Sequence, residues 1–292
     1  MTPKVSILIP VYNTAALLPR CLKSVTSQTL CDIEIICVDD GSTDESAQVL
    51  DSWAEKDARI KVIRQANGRQ GKARNEAMKV AQGEYIGMVD SDDYIPDDYF
   101  ERLYNAAQEA SADIAMCGIF KEKPVGGRVV ISFARTEVVD QPVDKLRLCN
   151  CPPDFHPVNK LYRRAFLDKI GLRFAEGVQY EDVMFVLRAL CESDRLVTVP
   201  QLSYRYVLNE ASTVKARQTL AKQQQKYAAH KAMVEYVTQH NIAIPNKYRH
   251  ITVYYYSVMG ICLYKIKEYG NRRTLRLFDA LPIWMWNNKD RV

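Results

Sequence analysis

Apolar runs at Lys4–Val11, Ile33–Val38, Ile60–Gln65 and Tyr85–Val89 alternate with stretches of mixed polarity along the N-terminal part of the chain. The first run is β-branched and apolar nearly throughout, the pattern of a strand buried on both faces. Within Ala15–Gln28, the apolar residues Leu17, Leu18, Cys21, Leu22 and Val25 recur at helical spacing. A second helix follows Thr43 or Asp44, either of which can cap it, and a third covers Lys72–Gln82. Strands alternating with helices predict a mainly parallel, doubly wound sheet in an αβα sandwich.

Three of these strands end in polar clusters: Tyr12-Asn13, Asp39-Asp40 and Asp90-Ser91-Asp92-Asp93. A parallel βαβ sheet gathers such ends along one edge, where open α/β sheets bind ligands. The carboxylates of Asp90, Asp92 and Asp93 repel one another, so positive charge is expected in their midst. Hard divalent cations take oxygen ligands, and Mg²⁺-type sites use one or two carboxylates plus substrate phosphates. Taken alone, the acidic run also reads as a solvated turn that caps the helix after Pro96.

Further on, a helix is expected over Asp97–Ala110 and a strand over Asp113–Phe120. Gly126-Gly127 marks a hairpin or a variable excursion within Lys121–Pro142. His156 lies in a Pro-bounded loop, and Lys160–Ile170 is expected to be helical. Glu181 and Asp182 open an amphipathic helix, where they complement its N-terminus, and Leu196–Val207 reads as a strand. A polar helix over Val214–Gln239 and another over Tyr248–Tyr269 give the expected organisation: a catalytic domain over 1–212 and a helical extension over 213–292.

Composition narrows the class. With 47% hydrophobic and 26% charged residues the chain reads as a soluble globular protein. No apolar run reaches the roughly 18 residues of a membrane span, and the N-terminal run is too short for a signal peptide. Eight cysteines without a CxxC pair indicate free thiols in a reducing cytoplasm. The net charge of +5 is unevenly spread, because residues 211–292 carry 14 basic and 4 acidic side chains. Together with Trp284-Met285-Trp286, that excess suits an anionic membrane surface on the inner face of the cell membrane; a packed subdomain or homodimer face fits equally. Nothing resembles a nucleic-acid recognition module.

VSILIPVYN, VDDGSTDES, the Asn67…Ala73-Arg74-Asn75 segment and GEYIGMVDSDD, in order over residues 4–100, resemble the nucleotide-sugar domain of family 2 glycosyltransferases. The resemblance implies a GT-A fold, a UDP-sugar donor and a divalent metal, Mn²⁺ or Mg²⁺. Tyr12 offers a flat face for a base to stack on, and Pro10 fixes the backbone beside it. Asp40 can accept an N–H from the base, which the family suggests is uracil. The family places Asn67 and Arg74 near the nucleotide, although Arg74 can equally pair with a strand-end aspartate. It places Asp90, followed by Ser91, near the ribose, and Asp92 on the metal.

The resemblance also puts the general base in the Glu181–Asp182 pair, usually on the Asp; should the base lie elsewhere, the loop histidine His156 is next in line. Arg205 and the loop Asn209–Ser212 fall where the family closes a flexible segment over the diphosphate. The signature of processive synthases is missing, so single sugar addition is expected, with inversion, to a saccharide or lipid-linked saccharide acceptor. A sugar nucleotidyltransferase is the first rival, but it would show a Gly-rich basic loop where Tyr12-Asn13-Thr14 stands. A non-catalytic nucleotide-sugar-binding protein of the same fold is the second.

Overall fold

β1 (Val5–Val11) is buried at every position and forms the axis of the structure. The computed structural model describes residues 2–152, 154–208, 220–245, 248–249, 251–258, 261–269, 272–277 and 281–287, the last four segments by backbone alone. By their internal contacts the residues divide into two compact units, Met1–Lys215 and Ala216–Val292.

In the first unit, β1 leads through α1 (Leu18–Thr26) to β2 (Ile33–Asp39), α2 (Ser46–Ala54), β3 (Ile60–Arg64), α3 (Arg69–Val80) and β4 (Tyr85–Met88). Then come α4 (Tyr99–Glu109), β5 (Ile114–Glu122), β6 (Gly127–Ile131), β7 (Val138–Val139), α5 (Pro142–Leu148), β8 (Lys160–Arg163), α6 (Arg164–Lys169), α7 (Asp182–Glu192) and β9 (Leu196–Val207). The sheet order is β3-β2-β1-β4-β8-β5-β9-β7, with β6 paired to β5. β1 is parallel to β2 and β4, β2 to β3, and β5 to β9. β8 runs antiparallel between β4 and β5. The carboxyl ends of β1, β2, β4, β5 and β9 therefore share one edge, as the alternating pattern predicts.

Local chemistry explains the turns at that edge. Pro10 lies inside β1, but the β1–β4 register ends at Leu8–Met88, so its missing N–H removes no ladder bond on that side. Asp44 accepts from the backbone N–H groups of Ser46 and Ala15, each at 3.0 Å, and ties the start of α2 to the turn after β1. Gly41 has φ +73°, and a Cβ there would stand 3.0 Å from the Asn67 nitrogen. Only glycine lets the β2 and β3 turns approach this closely.

Two expectations are corrected. Lys160–Ile170 is not one helix: Lys160–Arg163 is a strand, and the helix begins at Arg164. Leu161 and Tyr162 are both buried, because this strand sits mid-sheet with cover on both faces, and so short a run carries no distinguishing period. In the second unit the helix α8 (Leu220–Gln239) is present, while residues 209–219, where the helix was expected to start, lie outside the described ones. The expected helix over Tyr248–Tyr269 is replaced by strands β10 (Ile251–Val258) and β11 (Ile261–Tyr269). With β12 (Arg272–Leu277) and β13 (Leu281–Asn287) they form a four-stranded antiparallel sheet. The β10 sequence ITVYYYSV is β-branched or aromatic at nearly every position, and such side chains favour extended backbone.

The Gly126-Gly127 hairpin forms between β5 and β6. Among the described residues the cysteines are free thiols, with Cys21, Cys37, Cys117, Cys149 and Cys151 buried. No helix among the described residues is long and apolar enough to cross a membrane.

Candidate active site

Hydrogen bonds stitch the strand ends together. Asn13 turns the chain at φ 51°, donates its N–H to Ser42 Oγ at 3.1 Å and accepts the Thr43 N–H on Oδ1 at 2.8 Å. Thr14 Oγ1 donates to Ser91 Oγ at 3.0 Å, which joins the β1 turn to the acidic turn. Tyr12 remains 48% exposed at this edge, enough to leave its ring open to a stacking partner, and Pro10 is buried behind it. Asp40 is buried; its Oδ1 accepts from Gln65 Nε2 at 2.6 Å and from the Gly68 N–H at 2.8 Å. It thus anchors the loop on which Asn67 stands exposed.

The carboxylates of the acidic turn have different surroundings. Asp90 Oδ1 accepts from Arg74 Nη2 at 2.7 Å. Asp93 is buried, accepting the Tyr204 hydroxyl at 2.8 Å and the Val207 N–H at 2.7 Å. Burial, then the charges of Asp90 and Asp92, hold its carboxyl well above the usual range. Asp92 is half-buried, and its backbone carbonyl accepts from Arg20 Nη2 at 3.5 Å. The Arg20 guanidinium lies 4.7 Å over the Tyr94 ring.

Facing this turn, Glu181 caps α7 and Asp182 is its first residue. Their position is set from α3. The Asn75 amide donates to the Phe174 carbonyl and accepts the Phe174 N–H, both at 2.9 Å. Phe174 stacks on Phe185 of α7 with ring centres 3.8 Å apart. A Cβ at Gly71 would fall 2.2 Å from the Ala175 carbonyl oxygen, so glycine lets the loop close on α3. Arg74, buried in this corner, donates from Nη1 to Glu181 Oε1 at 3.0 Å while Nη2 holds Asp90. Burial would lower its pKa, but Asp90 and then Glu181 outweigh it and raise it. Burial, then the charge of Glu181, pushes the Asp182 carboxyl up to about 7 against the pull of Arg74.

His156 has a buried Nε2 without a hydrogen-bond partner, with Asp154 Oδ1 standing off at 3.9 Å. Burial and then Lys160 push its pKa down to about 4, which leaves the ring neutral near pH 7. Arg205 stacks 5.0 Å over Phe120, and its backbone bridges Tyr94 in both directions at 3.2 and 3.4 Å. Asn209–Ser212 lies outside the described residues.

The turns after β1, β2 and β4 are thus joined to one another, and the Glu181–Asp182 pair meets them through Arg74. Sequence reasoning gave no role to Tyr204, Phe174 or Arg20, and none to Asn75 beyond its motif. A polar group inside an apolar run was the available signal for Tyr204, in LSYRYV.

Among the described residues no three His, Cys, Asp or Glu side chains converge as a cage. Asp90 is bound by Arg74, and Asp93 by Tyr204 and Val207. A cation held at Asp92 would therefore be one shared with a ligand's phosphates rather than one enclosed by protein.

The αβα unit, with an acidic turn at its strand ends and a carboxylate pair facing it, has the GT-A fold. The model of glycosyl transferase family 2 matches residues 6–171, and the chain belongs to that family. The uncharacterized glycosyltransferase EpsJ of Bacillus subtilis is 36% identical over 226 residues, covering 73% of this chain and 63% of EpsJ. The poly(ribitol-phosphate) beta-glucosyltransferase of Bacillus spizizenii is 35% identical over 212 residues, 70% of this chain and 32% of that protein. The crystal structure of S. aureus TarS 1-349 in complex with UDP-GlcNAc has a TM-score of 0.71 at 24% identity, over 80% of this chain and 66% of that one. This chain thus spans under two thirds of the length of EpsJ.

Proposed function

We propose that the chain transfers a sugar from a UDP-sugar to an acceptor hydroxyl with inversion at the anomeric carbon, Asp182 serving as general base. One observation carries this reading. A single guanidinium, Arg74, touches both Asp90 of the strand-end turn and Glu181 of the carboxylate pair, at 2.7 and 3.0 Å. The donor turn and the carboxylate pair therefore lie within the span of one side chain.

In the mechanism, Tyr12 presents its exposed ring to the uracil, Asp40 and Asn67 border the base, and Asp90 with Ser91 borders the ribose. Asp92 would hold a divalent cation, Mn²⁺ or Mg²⁺, which when bound supplies positive charge to the departing diphosphate. Arg205, stacked on Phe120, adds a cation beside the same turn. Asp182 takes the proton of the acceptor hydroxyl as its oxygen forms a bond to the anomeric carbon. The bond from that carbon to the diphosphate breaks with its electron pair on UDP. Attack from the opposite face with one base and no enzyme nucleophile gives inversion. A carboxylate raised to about 7 suits this task, since a base is most effective with its pKa near the working pH.

The acceptor in this reading is a saccharide or lipid-linked saccharide of surface-polysaccharide assembly. The similarity to the poly(ribitol-phosphate) beta-glucosyltransferase supports that choice. The basic stretch 213–292 is proposed to rest on an anionic membrane surface; vesicle binding that is absent, or indifferent to lipid charge, would count against it. The test of the main reading is a screen of UDP-, GDP- and dTDP-sugars for metal-dependent binding and slow hydrolysis. Selective UDP-sugar turnover is expected, and turnover of none, or of GDP-sugars alone, overturns the donor assignment.

A further inference from the structure

We propose that Arg74 is a positioning residue that divides the roles of the Glu181–Asp182 pair: it commits Glu181 to a buried ion pair and so leaves Asp182 as the carboxylate that takes the acceptor proton. The inference rests on the reading of Asp182 as base. It also gives Arg74 a different role from the donor contact that the family resemblance implies.

Nη1 donates to Glu181, and Nη2 donates to Asp90 and, at 3.5 Å, to Gln70 Oε1, while the buried Nε–H has no partner among the described residues. The guanidinium face lies 5.2 Å over the Phe174 ring. The Asn75 clamp holds the Phe174 backbone, and Phe185 stacks on its ring. Without Arg74 two largely buried carboxylates, with side-chain exposures of 20% at Asp90 and 11% at Glu181, would lose their shared cation. Leaving a buried charge uncompensated is strongly unfavourable.

Adjacent residues at a helix start point about 100° apart, so the cation that takes Glu181 does not also take Asp182. The ionisable groups acting on Asp182 are Glu181, Arg74 and Asp90, with Tyr180 and Tyr162 beside it. Glu181 and Asp90 oppose its ionisation and Arg74 favours it. The arrangement makes one carboxylate a permanent partner and the other a proton acceptor.

The experiment follows the Asp182 carboxyl by ¹³C NMR in the full chain across pH, assigned with Asp182→Asn. In parallel it measures UDP release from UDP-GlcNAc across pH. Glu181→Gln should move the Asp182 midpoint down by about one unit or more, the usual reach of a neighbouring charge. Arg74→Gln should move the midpoint up and lower turnover at pH 7 by about tenfold, and Arg74→Lys, which keeps the charge, should restore part of both. Circular dichroism confirms that the variants fold, and Arg74→Lys carries the comparison if Arg74→Gln does not. Midpoints unmoved by Glu181→Gln and by the Arg74 variants overturn the proposal. So does a raised KM for UDP-GlcNAc with unchanged kcat and midpoint, the mark of a donor contact. The NMR titration needs no turnover, so a failure of the transferase reading is seen separately.

Discussion

The Tyr204 hydroxyl donates to the Asp93 carboxylate at 2.8 Å, and the same oxygen accepts the Asp90 backbone N–H at 3.0 Å. One buried phenol on β9 thereby fixes both ends of the acidic turn. Asp93, adjacent to the proposed metal ligand, is the member of the run devoted to structure. Tyr204→Phe leaves a buried N–H and a buried carboxylate oxygen without partners, and should lower stability by about 2–4 kcal/mol. Urea denaturation measures it, with donor affinity expected to fall in parallel. A loss within the error of the titration would show that the turn is held by other contacts.

Asn75 makes the corresponding prediction on α3. Its amide is the two-way clamp on Phe174, and Phe174 is the platform under Arg74. Asn75→Ala removes both bonds and a third, to Glu176 Oε1 at 2.8 Å, and should lower stability by about 2–3 kcal/mol. It should also reduce turnover more than it weakens UDP binding, because the displaced loop carries Glu181 and Asp182. Equal losses in binding and turnover would place the effect on the donor side instead.

Asp92→Asn should leave the fold intact, since it removes repulsion within the acidic turn. It should reduce turnover by about 10²–10³-fold, the scale of losing one group that stabilises developing charge. Excess chelator should have a comparable effect on the unaltered chain. Turnover that survives both treatments rules out the metal assignment.

Asp182 links function to stability through pH. Its carboxyl titrates at about 7 in the folded chain, against about 3.9 when unfolded. Below pH 4 both states are protonated and no difference arises. As pH rises from 4 to 7 the unfolded chain ionises first, so stability falls, and the full loss is present above 7. Asp182→Asn should therefore raise Tm above pH 7 and leave it unchanged below pH 4. Thermal melts at pH 3.5 and 8 check this, and a lower Tm at pH 8 would contradict the buried-carboxylate account.

How much of this was legible varies with the range of the interaction. β1, β2 and β4 announce themselves because strands buried on both faces are apolar runs, and their polar ends meet at one edge by topology alone. Lys160–Arg163 hides its strand because four residues cannot display a period. Tyr248–Tyr269 reads as helix by spacing, while its β-branched and aromatic content, the better guide, points the other way. Arg74 was visible as a cation able to pair with a strand-end aspartate, as it does with Asp90, but its second partner was not, since Glu181 lies 107 residues along the chain. Tyr204 and Asp93 are 111 residues apart, and no local pattern marks such a pair.

The most direct measurement is the rate of transfer by Asp182→Asn, with the UDP-sugar that turnover screening selects. The change is nearly isosteric, and a base that acts only in the transfer step contributes little to holding the donor. The account predicts donor affinity close to that of the unaltered chain and kcat lower by about 10²–10⁴-fold. Undiminished turnover in Asp182→Asn would contradict it.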